Sequence, residues 1–535
     1  MKIFTFDSTL RDGTQGEGVS FSVDDKLAIT QKLDALGIDY VEGGWPGSNP
    51  KDKEFFIRAR ELKLEHSQLT AFSATRFARN PVREDRNILA LVEAGTPAVS
   101  IFGKTWDLHV LRVLGISLDE NLRLISETVR HLKNHDKEVV YDAEHFFDGY
   151  TANAAYALHT LEAAKLSGAD VLCLCDTNGG TLPSRLLEVL TEVRRRFDGV
   201  IGIHTHNDSD VAVANALVAV EAGATLVQGC LNGYGERCGN ANMASIIADL
   251  ELKLGHTTIG REKLKQLSSV CTFIADLANL ALRSDQPFVG KSAFAHKGGV
   301  HVSAVLKNPT TYEHVAPEAV GNGRRVLVSD LSGRANIVYQ LKQHGLGDRL
   351  DDEARRGLLE RIKDMEHEGY DLEAADGSFE LLVRTALHPD LHLFDVERYQ
   401  VTTGADGDNP LRTVATVTLR GQNQVHSLTA SGHGPFDALH KCLRACLRKL
   451  YPGIRLVHLT DYKVRLLDAR KGTAAKVRVL IEWTDSCQKW STVGVSDSVV
   501  EASWRALLDA MRLELMRFTD RDGNTESPPK TAVLR

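Results

Sequence analysis

The residues able to do chemistry fall in two runs far apart in the chain. The first is Phe6-Asp7-Ser8-Thr9-Leu10-Arg11-Asp12-Gly13-Thr14-Gln15-Gly16, which sets a cation beside an anion in a Gly-rich loop. A carboxylate at Asp12 can hold a divalent metal, and a guanidinium at Arg11 can steady charge developing on a nearby oxygen. A surface turn with an ion pair would read the same way. The second run is His204-Thr205-His206-Asn207-Asp208. Residues i and i+2 of a strand face the same side, so its two imidazoles point together. Neutral imidazoles on one face suit a divalent first-row metal, and Asp12 would add a hard oxygen. A third run, Gly233-Tyr234-Gly235-Glu236-Arg237-Cys238-Gly239-Asn240, ends on an amide. Asn240 could cap the helix that follows, or offer its oxygen to a metal.

Elements must bring these runs together. Apolar runs at 3–6, 38–42, 69–74, 98–102, 138–142, 171–175, 200–205 and 225–228 predict strands. Helical patterns lie between them, at 23–36, 83–94, 118–132, 152–167, 183–196, 211–222 and 241–254. Strands alternating with helices imply a parallel sheet, and this count and length predict a (β/α)8 TIM barrel over residues 1–283. An open doubly wound sheet is the alternative. In a barrel, the Arg11 and His204 loops share the carboxyl-terminal rim, where active sites lie. A helix is expected at 262–282.

Residues 284–375 read as linker subdomains, with a loop-rich segment holding Gly298-Gly299-Val300-His301 and a charged helical stretch over 334–370. Residues 376–518 predict an α+β domain of two βββα units. Its strands fall at 379–387, 391–402, 411–419 and 424–431, then 457–469, 475–484 and 489–496, with helices at 436–450 and 498–516. Residues 519–535, polar with a Pro-Pro pair, predict a disordered tail.

The chain has 535 residues and a net charge of −7, so no broad basic field points to nucleic acid. No apolar window of about eighteen residues predicts a membrane span, and no signal segment precedes the first strand, which points to the cytosol. The eight cysteines are scattered and predict reduced, buried thiols rather than a disulfide framework.

Ser8–Gln15, His204–Asp208 and Gly235–Asn240 together resemble the Claisen-condensing acyltransferases of the DRE-TIM metallolyase superfamily: the isopropylmalate, homocitrate and citramalate synthases. The likeness extends over almost the whole chain. Val41-Glu42-Gly43-Gly44-Trp45-Pro46-Gly47-Ser48-Asn49-Pro50 and Lys104-Thr105-Trp106-Asp107 look most like the citramalate synthases. The resemblance implies a divalent metal (Mg²⁺, Mn²⁺ or Zn²⁺) on Asp12, His204, His206 and Asn240, with acetyl-CoA condensing onto pyruvate or a larger 2-oxo acid. It implies that Arg11, oriented by Glu42, stabilises the nascent alkoxide, that Glu144 is the base, and that His301 partners it from the linker. Thr177, in a turn motif ending the sixth strand, would bond the substrate carboxylate. Ala143-Glu144-His145-Phe146-Phe147-Asp148 departs from the family's usual acidic pair, and the part of His145 stays open. Lys104 to His109 would line the pocket. Gly432-His433-Gly434-Pro435 resembles the glycine turn of the family's regulatory half, implying feedback by an amino acid, isoleucine by analogy, and a homodimer. A lyase on the same barrel and a non-enzymatic amino-acid sensor are the competing readings.

Overall fold

The computed structural model describes residues 1–327, 336, 338–339, 350–405, 411–454, 457–485 and 488–523. They form two compact units: residues 1–294 with 313–324, and residues 295–312 with the rest of the chain from 325.

The first unit is a closed barrel of eight parallel strands in sequence order, the first pairing with the last. The strands are β1 (Phe4–Asp7), β2 (Tyr40–Gly44), β3 (Gln68–Ala74), β4 (Ala98–Lys104), β5 (Glu138–Glu144), β6 (Val171–Asp176), β7 (Val200–Thr205) and β8 (Leu226–Gly229). The helices are α1 (Val23–Leu36), α2 (Pro50–Ala59), α3 (Arg86–Ala94), α4 (Leu118–Lys133), α5 (Phe146–Leu166), α6 (Pro183–Arg196), α7 (Ala212–Glu221) and α8 (Met243–Leu252). Local chemistry sets their ends. Ser22 and Asp25 form a reciprocal capping box at the start of α1, and Gly37, at φ +93°, turns the chain out of it.

Strand alternation builds the barrel interior in layers. Phe6, Tyr40, Ala98, Val140, Val171, Cys173 and Leu226 pack together as an apolar floor. Two residues further along, the same faces carry Glu42, Ser100, Asp142 and Gln228, all buried. Another step reaches Phe102 and Glu144 at the rim. An apolar base thus supports a polar layer directly beneath the loops.

α2 (Pro50–Ala59) falls where no helical pattern is predicted, and two further helices differ from the sequence expectation. α5 begins at Phe146 rather than 152, because two segments join at Asn153 (φ −153°, ψ 81°). The Asn153 side chain accepts from Tyr156 N at 3.2 Å, so it caps the second segment, which is the part the periodicity exposes. The helix expected at 262–282 is two, Arg261–Leu264 and Leu267–Leu277. Gly321 packs on the Lys265 carbonyl at the break, where a Cβ would lie 2.0 Å from that oxygen.

The second unit holds two three-stranded antiparallel sheets, Asp395–Gly404 with Arg412–Gly421 and Gln424–Gly432, and His458–Leu466 with Val477–Thr484 and Lys489–Ser496. Helices Pro435–Leu450 and Val499–Gly523 follow them, giving the expected βββα repeat. One predicted strand is wrong: 379–387 lies in a helix, Asp376–Leu387. Its Phe379 and Val383 enter one apolar cluster and Leu381 another, so both faces are apolar and period 3.6 is masked. Helix Gly299–Lys307 occupies part of the loop-rich segment, and helix Asp352–Glu368 falls within the charged stretch. The last helix runs to Gly523, into the expected tail; residues 524–535, most of 328–349 and Cys487 lie outside the described residues. Among the described cysteines none forms a disulfide, and Cys238 is exposed, contrary to the expectation of burial throughout. Among the described residues no helix is long and apolar enough to cross a membrane.

Candidate active site and metal centre

β1 delivers Arg11 and Asp12, and β7 delivers His204 and His206, to one cavity of ≈ 230 Å³ at the carboxyl-terminal rim. Asp12 Oδ2 lies 3.4 Å from His204 Nε2 and 4.0 Å from His206 Nε2, and the two Nε2 atoms are 3.2 Å apart. All three side chains are buried. Cis ligands around an ion with bonds of about 2.1 Å sit about 3 Å from each other, so this triangle matches the edges of a coordination shell.

Asn240 supplies the further test of fit. Its Nδ2 donates to the Tyr234 carbonyl at 3.1 Å, while its Oδ1 is buried with no hydrogen-bond partner among the described residues. The capping alternative fails, because Asn242 caps α8 by accepting from Ala244 N at 3.1 Å. A buried amide oxygen with nothing to accept from suits a cation. Gly235, at φ +150°, permits this approach: a Cβ there would lie 2.2 Å from Asn240 Nδ2.

Electrostatics favour a cation at the same point. Burial works to raise the Asp12 pKa, but Arg11 and the two imidazoles hold it well below the usual carboxylate range. Burial pushes His206 down to about 4, leaving a neutral imidazole. For His204, burial is overruled by the hydrogen bond to Asp12, and its pKa rises. A bound cation would displace that proton.

Arg11 is fixed on three sides. Nε donates to Glu42 Oε2 at 2.6 Å, Nη1 lies 3.3 Å from Asp12 Oδ2, and the guanidinium carbon stands 3.8 Å from the Phe72 ring centre. Burial raises Glu42 to about 7 against the pull of Arg11. Glu144 also lines the cavity and pairs with Lys104. Thr177 Oγ1 accepts from His145 N at 2.9 Å, which joins the ends of β5 and β6. Arg237 ties the neighbouring loops, donating to Asp208 and, at 2.8 Å, to the Thr177 carbonyl. His145 sits at φ 57° with Nδ1 3.3 Å from Asp148, and its ring lies against His109. His301 belongs to the second unit, exposed on helix Gly299–Lys307 with its ring stacked on Tyr312 at 4.2 Å.

Several residues escape a motif reading. Asp142 and Gln228 lie beneath the histidines, and Trp45, Phe72 and Phe102 pack edge-on or stacked as one wall. Strand alternation was the available signal: counting back by two from Glu144 and from His206 reaches Asp142 and His204, and Gln228 lies level with His204.

Comparison with known proteins agrees with this geometry. The HMGL-like family model matches residues 2–271, a homocitrate synthase post-HMGL domain-like model matches 288–370, and the LeuA allosteric (dimerisation) domain matches 373–514. The (R)-citramalate synthase of Aquifex aeolicus is 50% identical over 96% of this chain and 98% of its own length. That of Synechocystis is 49% identical over 97% of each. The chain belongs to the citramalate synthase family. A 2-isopropylmalate synthase of Methanocaldococcus jannaschii is more distant, 28% identical over 95% of this chain and 94% of its own. As a citramalate synthase family member, the chain is an enzyme of the condensing acyl-CoA type, built as a TIM barrel followed by a dimerisation domain.

Proposed function

We propose that this chain condenses acetyl-CoA with pyruvate, giving (R)-citramalate and CoA. The convergence of Asp12, His204 and His206 beside the Arg11–Glu42 pair carries the reading, and the buried Asn240 oxygen, without a hydrogen-bond partner among the described residues, supports it. Relatives named (R)-citramalate synthase at 43–50% identity support the product.

Asp12, His204 and His206, with Asn240 on the family resemblance, would hold a divalent ion such as Mg²⁺, Mn²⁺ or Zn²⁺, which would supply Lewis acidity toward the keto oxygen of the 2-oxo acid. Every other step falls to the chain's own residues. Thr177 bonds the substrate carboxylate. Glu144 takes a proton from the acetyl methyl group, and Lys104, paired with it, holds it in place. The resulting carbon nucleophile forms the C–C bond, and the keto oxygen takes up negative charge. Arg11 meets that charge with N–H donors already oriented by Glu42, so little reorganisation is needed. Water then cleaves the thioester, releasing CoA. His301 enters as the partner of Glu144 on the family resemblance. Trp45, Phe72 and Phe102 give the cavity an aromatic wall. The same reading includes a cytosolic homodimer, with isoleucine as effector of the second unit.

Release of free thiol from acetyl-CoA over a panel of pyruvate, 2-oxobutyrate, 2-oxoisovalerate and 2-oxoglutarate tests the assignment. Pyruvate should give the highest kcat/KM. A preference for 2-oxoisovalerate would remove the citramalate reading. Isoleucine should inhibit the full chain and release binding heat, and indifference on both counts would remove the effector.

A further inference from the structure

His204 has two ring nitrogens with different duties. Nε2 faces Asp12 and His206. Nδ1 points the other way, 3.0 Å from Gln228 Oε1. Gln228 Nε2 in turn donates to Asp142 Oδ1 at 2.8 Å, and the Ser100 hydroxyl donates to Asp142 Oδ2. Four strands, β7, β8, β5 and β4, each contribute one member. All four side chains are buried, with at most 5% exposure.

The direction of every bond follows from the far end. Both Asp142 oxygens accept, one from a hydroxyl and one from an amide. A carboxamide can donate only from its NH₂ end, so Gln228 must turn that end to Asp142 and its oxygen to His204. An oxygen facing Nδ1 requires Nδ1 to carry the proton. Once a cation displaces the proton shared with Asp12, Nε2 is left with the lone pair. His206 differs, since its Nδ1 is buried with no hydrogen-bond partner among the described residues.

From this chain of bonds we infer that Gln228, held by Asp142 and Ser100, is a positioning residue that fixes the Nδ1–H tautomer and ring orientation of His204 and so presents Nε2 to the divalent ion. The inference rests on the metal-site reading above. Groups that hold the second nitrogen of a ligating histidine typically change metal affinity by about 10–100-fold when removed.

Titration of the metal-stripped full chain with Mn²⁺, followed by calorimetry and by the loss of the free-ion electron paramagnetic resonance signal, tests it without any substrate. Gln228→Met keeps the length and loses both hydrogen bonds. It should weaken Mn²⁺ binding about 10–100-fold while the Tm of the metal-free protein stays near wild type. Asp142→Asn frees the Gln228 amide to rotate and should weaken binding as well; Ser100→Ala should do so less. Binding within twofold of wild type in Gln228→Met overturns the inference. If that variant fails to fold, Asp142→Asn and Ser100→Ala decide: both within twofold of wild type overturns it. A wild-type protein that binds no divalent ion overturns the metal site together with the relay, whereas a wild-type site indifferent to all three variants overturns the relay alone.

Discussion

Arg11 carries the steepest demand of any single side chain here. Its guanidinium is held by carboxylates of Glu42 and Asp12 and stands over the Phe72 ring, so its donors are aimed before substrate arrives. Lysine has the charge without the planar fork. Arg11→Lys should therefore lower kcat by about 10²–10³-fold, as loss of an aimed oxyanion donor does. Mn²⁺ affinity should hold within a few-fold, and a kcat near wild type would remove Arg11 from the transition state. Arg11, Asp12, His204 and His206 were readable because adjacent unlike charges and H-x-H are local patterns. Gln228 was not, because it matters through a partner on another strand; Lys104 was expected at the pocket, but its pairing with Glu144 on the next strand was not. A neutral amide in an apolar strand gives no signal until His204 is known to lie level with it.

Asp7 makes a different kind of contribution. It is fully buried and accepts from Thr9 N, Thr9 Oγ1 and Leu231 N, which locks the β1 and β8 loops together. Burial nevertheless raises its pKa to about 6 from 3.8. A carboxyl raised on folding binds more protons in the folded state across that window, so its contribution to stability falls as pH rises from about 4 to about 6. Asp7→Asn removes this slope. The stability of the variant relative to wild type should climb by about 3 kcal/mol between pH 4 and pH 7. Denaturant melts at the two pH values measure this, and a constant difference would show that Asp7 does not titrate there.

At the scale of elements, the loop after β8 does the finest positioning. Gly239 sits at φ +90°, and a Cβ on it would lie 2.1 Å from the Gly233 carbonyl. No side chain can give way there, since the obstacle is backbone. Gly239→Ala must shift the loop that carries Asn240, while leaving Asp12, His204 and His206 on rigid strand ends. Mn²⁺ binding should weaken by about tenfold or more, with pyruvate KM rising alongside; unchanged values in both would show that the loop is not a ligand carrier. The barrel strands and most of its helices were legible because each buries one face, which leaves a clean period. Helix Asp376–Leu387 was not, since it is covered on both faces and its run Phe379-Glu380-Leu381-Leu382-Val383 reads as a buried strand.

At the scale of the whole molecule, the two units owe their stability to different things, and unfolding should separate them. The first unit gains from the metal: an ion at a hundred times its Kd adds about 2.7 kcal/mol to whatever unfolds with the site. The second unit holds a buried charge cluster. Glu380 takes Arg517 Nε at 3.2 Å and Arg384 Nε at 2.7 Å, and Arg517 lies 4.8 Å from the centre of the Trp490 ring. Burial works against the Glu380 carboxylate, yet the two arginines hold its pKa down. Glu380→Gln removes the carboxylate charge that both guanidiniums bond, at a cost of about 3–5 kcal/mol, as breaking a buried pair from one side does. Scanning calorimetry of the full chain should thus resolve two transitions. Mn²⁺ should raise one and leave the other, and Glu380→Gln should lower the second and leave the first. If a single transition answers to both the ion and the substitution, the units unfold as one cooperative body, and the stability of the metal site depends on the charge cluster in the other unit.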